Sequence, residues 1–211
     1  MNIIYPIIII PFFDLLLCNF FGNKARWFQL HSVINLLILN IIKDDVYNLI
    51  IRPYDVVELE EPQELYYICF LHLYHFLFFK NSKMDFMHHF GFVLFGALPI
   101  YKLYNLNLIR LATFTGCGLP GFIEYTSLVL VKHNKIKSIE QKVLMSNVYN
   151  YFRYPFSVFA SSIIYYNHII DKRFEIPSII VFYTMFIVYL NGAFFNKITL
   201  ENTIESFYKI K

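Results

Sequence analysis

The chain has 211 residues, of which 57% are hydrophobic and only 16% charged, against about 45–50% and about 25% in an ordinary soluble domain. Its net charge of +3 comes from basic residues scattered between apolar runs, so no basic stripe exists to track nucleic acid. Cys18, Cys69 and Cys117 lie within apolar segments without CxxC spacing, which supports neither a disulfide framework nor a zinc site and leaves them as small hydrophobes.

In chain order, uncharged or nearly uncharged runs cover residues 3–21, 27–42, 65–79, 86–101, 107–131, 143–170 and 176–196. Each predicts a hydrophobic helix, and together they predict an all-α, multi-pass transmembrane bundle of about seven spans. Crossing the hydrocarbon takes about 20 residues at about 1.5 Å each, so the second, third and fourth runs borrow flanking residues, as thin bilayers and snorkelling lysines permit. The first run has no basic start and no small-residue cleavage site, and reads as a retained span.

Five connections are short, at 22–26, 80–85, 102–106, 132–142 and 171–175. The sixth, 43–64, gathers Asp44, Asp45, Asp55, Glu58, Glu60, Glu61 and Glu64, and its Pro53 and Pro62 oppose a continuous helix. It reads as an extramembrane loop. Seven spans put the termini on opposite sides, and the distribution of basic residues chooses between them. Eleven (Lys24, Arg26, Lys80, Lys83, Lys132, Lys135, Lys137, Lys142, Lys197, Lys209 and Lys211) lie on the side of the carboxyl end, and six (Lys43, Arg52, Lys102, Arg110, Lys172 and Arg173) lie opposite. That bias places the carboxyl end in the cytoplasm and the acidic loop outside it.

Polar groups inside spans are expensive, roughly 2.5–3.5 kcal/mol for a central Arg, Lys or Asp on insertion scales, and are functional candidates for that reason. They are Asp14, His31, His72, His75, His88, His89, Glu124 and Arg153. Adjacent His88 and His89 would project about 100° apart on a helix. They either line two walls of one cavity or sit inert at the membrane interface near Lys83 and Asp85. His72 and His75, three apart, share a helix face and read as interhelical hydrogen-bond formers rather than metal ligands. Arg153, two residues before Pro155, calls for an anion: Glu124 within the protein, or a lipid phosphate, with snorkelling as the bland reading. Gly116, Gly118 and Gly121 bracket Pro120 and imply a helix break or a close helix contact. The sequence contains no P-loop, GxSxG or HExxH pattern.

Four segments, in order, carry a family likeness: Arg26-Trp27 with His31-Ser32, Asp85-Phe86-Met87-His88-His89-Phe90, Asn107-Leu-Ile-Arg110, and Asn191 through Phe195-Asn196-Lys197-Ile198. Over roughly residues 20–200 they resemble the TLC-domain family of ceramide synthases, TRAM translocation proteins and lipid-regulating membrane proteins. The resemblance implies six helices in a barrel around a lipid-accommodating cavity, in the endoplasmic reticulum or a related internal membrane. Residues 1–22 would add one amino-terminal span, 23–200 would form the TLC-like domain, and 201–211 a short cytosolic tail.

Ceramide synthases pair their tandem histidines with a His-Asp-x-x-Asp stretch after the Asn-x-x-Arg element. Residues 111–121 here read Leu-Ala-Thr-Phe-Thr-Gly-Cys-Gly-Leu-Pro-Gly, so that half of an acyl-transfer site is missing. The expectation is a TLC-like, non-catalytic membrane protein that binds or organises lipids or regulates membrane lipid composition. Its lipid-binding residues would be His88, His89, Arg153 and Glu124, its partners membrane lipids, with no nucleic acid, cofactor or metal. The alternatives are an acyl-CoA-dependent N-acyltransferase with His88 or His89 as general base, and a cargo- or translocon-associated interaction protein.

Overall fold

A computed structural model of the chain describes residues 4–170 and 175–208, which are all-helical apart from their connections. Helix α1 spans Ile4–Phe21 and, after a 3-10 turn at Asn23–Ala25, α2 spans Arg26–Ile51 and α3 Gln63–Phe78. Helix α4 runs Lys83–Met87, His88–Ala97 and Leu98–Leu103 without interruption, and α5 is Leu108–Lys132. Helix α6 runs Ser138–Val148, Tyr149–Arg153 and Tyr154–Ile170, and α7 is Ser178–Tyr208. Each helix overlays one hydrophobic run. Three of them, α1 with 18 residues, α5 with 25 and α7 with 31, are long and apolar enough to cross a membrane by length and composition. Ile8, Phe12, Leu15 and Phe20 of α1 and Ile179, Phe182 and Phe186 of α7 face outward, an apolar exterior suited to lipid rather than water.

Three prolines shape the interior. A proline has no N–H to give the carbonyl four residues back, and its ring crowds that carbonyl. Just before Pro99, Pro120 and Pro155 the helix widens into π winding, at His88–Ala97, Phe114–Gly118 and Tyr149–Arg153. The residue preceding each proline bonds five residues back: Leu98 to Val93, Leu119 to Phe114, and Tyr154 to Tyr149. Pro99 leaves the Phe95 carbonyl without its helical donor, and the Tyr183 hydroxyl of α7 donates to it instead. The expected break in α5 is therefore a wide turn, and its glycines also make the expected close contacts. A Cβ on Gly118 would lie 3.0 Å from Leu39, and one on Gly121 would lie 2.8 Å from the Asn35 amide nitrogen of α2.

The acidic segment differs from the expected loop. Helix α2 continues through Lys43, Asp44 and Asp45 to Ile51, and Glu64 lies buried in the first turn of α3, so the non-helical connection shrinks to residues 52–62. The cause is Arg110 at the start of α5. Its guanidinium pairs with Glu64 (3.0 Å) and, on another nitrogen, with Asp45, so two of the seven acids are structural. Asn107 completes the fastening: its side chain accepts from Val57 N–H (3.2 Å) and donates to the Asp55 carbonyl (3.2 Å). The Asn-x-x-Arg element thus ties the connection to the mouth of α5.

Asp14 has a similar role. It is 1% exposed, yet it accepts from Arg26 Nε (2.8 Å) and the Tyr74 hydroxyl (2.6 Å), docking α1 on α2 and α3. Helix α7 carries on through residues 201–208, which the sequence assigns to a tail. The basic residues Lys172, Arg173, Lys209 and Lys211 used in the charge count lie outside the described residues.

The exchange at Phe95 is testable by a double-mutant cycle on thermal unfolding in detergent. Tyr183→Phe alone should cost about 0.5–1.5 kcal/mol. In a Pro99→Ala background, where residue 99 can bond Phe95 itself, the same change should cost close to nothing.

Candidate functional site

The polar residues of the spans do not spread evenly. Asp14, Glu64 and Arg110 finish their hydrogen bonds within the protein, whereas His31, His72, His88 and Arg153 collect around one interior cavity of about 290 Å3. Its wall takes His31 and Asn35 from α2, His72 from α3, His88 from α4, Gly116, Glu124 and Tyr125 from α5, Tyr149 and Arg153 from α6, and Phe195 from α7. Six helices contribute and α1 does not. All three π-wound stretches reach this wall, through His88, through Gly116 with Cys117, and through Tyr149 with Arg153. Wide turns often mark functional positions because they re-aim side chains.

The histidines pair across α3 and α4. His72 Nε2 lies 3.1 Å from His88 Nε2, and His75 Nδ1 lies 3.2 Å from His89 Nε2. The interhelical role expected of His72 and His75 is what the geometry shows. Trp27 stacks on His75 with ring centroids 3.5 Å apart and meets His31 edge-on, while His31 stacks on Tyr125 at 4.1 Å. His88 and His89 do not line two walls of one space. The segment is π-wound, and His88 faces the cavity while His89 turns to His75.

Arg153 is 5% exposed, so it does not snorkel. Nor does it pair with Glu124: among the described residues no ion pair joins them. Its Nη2 donates to Asn191 Oδ1 (2.8 Å), and its guanidinium lies between the rings of Tyr149 (4.6 Å) and Phe195 (4.5 Å). Glu124 is taken by the Tyr149 hydroxyl, which donates to its Oε2. Tyr149 thus stands between the two charges that the sequence suggests as partners. Sequence reasoning missed Tyr149 and Tyr125, two among 17 tyrosines with no spacing to mark them. Asn191 was in view through the carboxyl-terminal motif, but not as the arginine's partner.

Several buried polar atoms of this site have no hydrogen-bond partner among the described residues: both ring nitrogens of His31, Nδ1 of His88, Nδ1 of His89 and Nε of Arg153. Buried polar groups are otherwise overwhelmingly paired. Among the described residues no group of three or more His, Cys, Asp or Glu side chains is arranged to hold a metal ion.

Beside the polar cavity lies a second, apolar one of about 100 Å3, walled by Phe92, Val93, Ala97, Ile109, Ala112 and Ile187 among others. Ile68, His72, His88, Gly116 and Cys117 belong to both walls. The two spaces thus adjoin across these five residues, one with a polar lining and the other mostly apolar. Comparison with protein-family models, with curated proteins and with solved structures finds no match.

The separate partners of Arg153 and Glu124 have a measurable consequence. Arg153→Leu should leave the folded yield in detergent near that of the native chain, because no carboxylate is stranded. Tyr149→Phe removes the hydroxyl that serves buried Glu124, and should cost about 1–3 kcal/mol in thermal unfolding.

Proposed function

We propose that this chain is a multi-pass membrane protein with all seven helices in the bilayer, α2–α7 forming a TLC-like barrel and α1 packed outside it. In this reading it holds a membrane lipid in the barrel and acts on lipid organisation or composition without catalysis, in the endoplasmic reticulum or a related internal membrane. The observation that carries the reading is the two-ended interior, in which a cavity lined by incompletely paired His88, His31 and Arg153 shares its wall with an apolar pocket. A lipid head would satisfy the polar end and part of its chain would fill the apolar one, the combination a ligand pocket needs for orientation and affinity. That the cavity wall comes from α2–α7 and not α1 supports the six-helix barrel. Arg153 and His88 would contact the head. Glu124 would shape the wall through Tyr149, and His89 would support His72 and His75 from behind. The N-acyltransferase alternative draws less support, because residues 111–121 lack the His-Asp-x-x-Asp half of the ceramide synthase site. The cargo-associated alternative draws nothing from this interior.

Lipid co-purified from membranes, quantified per folded chain, tests the reading. Native protein should retain about one lipid through size exclusion in mild detergent. Both Ala112→Phe, which fills the apolar end, and Arg153→Leu, which removes the cation, should reduce retention severalfold at unchanged folded yield. Equal retention in all three would overturn the proposal.

A further inference from the structure

The unpaired atoms also specify the chemistry of the head group, and the inference rests on the lipid-binding reading above. His72 Nδ1 lies 2.7 Å from the Ile68 carbonyl oxygen. A carbonyl can only accept, so Nδ1 carries the hydrogen and Nε2 of the neutral ring is a bare acceptor. The atom 3.1 Å from that Nε2 is His88 Nε2, which must then be the donor. His88 is thereby held in its Nε2–H form, and its Nδ1 is left as a lone-pair acceptor, buried, without a partner in the protein, on a ring shared by both cavities. A hydrogen bond to a main-chain carbonyl one helix away thus fixes what His88 can recognise. It needs an O–H or N–H.

Arg153 needs the opposite. One hydrogen of its Nη2 goes to Asn191, and its buried Nε–H has no acceptor among the described residues. A guanidinium held between two aromatic rings away from water prefers an anionic oxygen. Phe195 links the two demands, since its ring meets Arg153 at 4.5 Å and His88 at 5.6 Å. His31, with both nitrogens unpaired, adds one donor and one acceptor to the same cavity in either neutral form. An ammonium could supply the donor for His88, but it would set a second cation in the cavity beside Arg153, and of the two carboxylates in the wall Glu124 already accepts from the Tyr149 hydroxyl and Asp85 from the Ser82 main-chain N–H.

We infer that the site selects a single-chain amphiphile whose head joins an oxyanion to a neighbouring hydroxyl, the oxyanion accepting from Arg153 Nε–H and the hydroxyl donating to His88 Nδ1. Neither group alone completes the site. A simple fatty acid offers the anion without the hydroxyl, and a neutral glyceride the hydroxyl without the anion.

The test uses the full chain in phosphatidylcholine nanodiscs and three short-chain probes of matched length: a lysophosphatidate (phosphate and hydroxyl), an alkyl phosphate (phosphate only) and a monoacylglycerol (hydroxyl only). The lysophosphatidate should bind about tenfold more tightly than either of the others, the loss expected when one buried polar group stays unmatched. In His88→Leu its advantage over the alkyl phosphate should vanish while alkyl phosphate binding stays unchanged. In His88→Gln, which keeps an acceptor, part of the advantage should return. The ranking of the three probes requires no variant, so poor folding of His88→Leu does not shelter the inference. Equal binding of the lysophosphatidate and either single-feature probe would overturn the head-group assignment and leave the lipid site standing. Failure of all three probes to bind would overturn both.

Discussion

A proline within a helix cannot give a hydrogen to the carbonyl four residues back, and the interior of this protein follows from that constraint applied three times. Pro99, Pro120 and Pro155 each follow a π-wound stretch in which the bond reaches back five residues instead of four. Wider winding turns side chains out of the register that close helix packing would use. Here the re-aimed residues are His88, Gly116, Cys117, Tyr149 and Arg153, and they surround a common space.

Burying a polar group in such a setting is costly, and the chain deals with its buried polar residues in two distinct ways. At the periphery the networks are closed. Asp14 receives Arg26 and Tyr74, and Arg110 spans Asp45 and Glu64, so each charge meets its complement and each network ties helices together. In the interior the networks stop short. The histidine pairs spend one nitrogen on each other and leave others idle, and Arg153 spends one arm on Asn191 while Nε stays free. The incompleteness at His31, His88 and Arg153 is what the proposed lipid head would complete.

Much of this was legible in the sequence, and the failures have physical causes. Uncharged runs located all seven helices of the described residues, because unpaired charge is costly on faces that pack against apolar surroundings. The same rule concealed the end of α2, the start of α3 and the end of α7, where charges are helical: Asp45 and Glu64 are neutralised by Arg110, and Lys197 lies 3.8 Å from Glu201. The interhelical role of His72 and His75 was readable from their spacing. The partner of Arg153 was not, since a charge inventory offers Glu124 and cannot see that Tyr149 reaches it first. The cavity itself was invisible to periodicity, because it depends on six helices converging and on which nitrogen of each imidazole is already spent.

The central claim is that a lipid occupies the interior between α2 and α7 rather than only coating the outside. Photo-crosslinking with a lipid bearing a diazirine in its chain measures this most directly. The account predicts labelled peptides covering Phe92, Val93 and Ile187 at the apolar end of the cavity, with that labelling lost in Ala112→Phe. Labelling confined to outward residues such as Ile8, Phe12 and Phe186, and unaltered by Ala112→Phe, would contradict it.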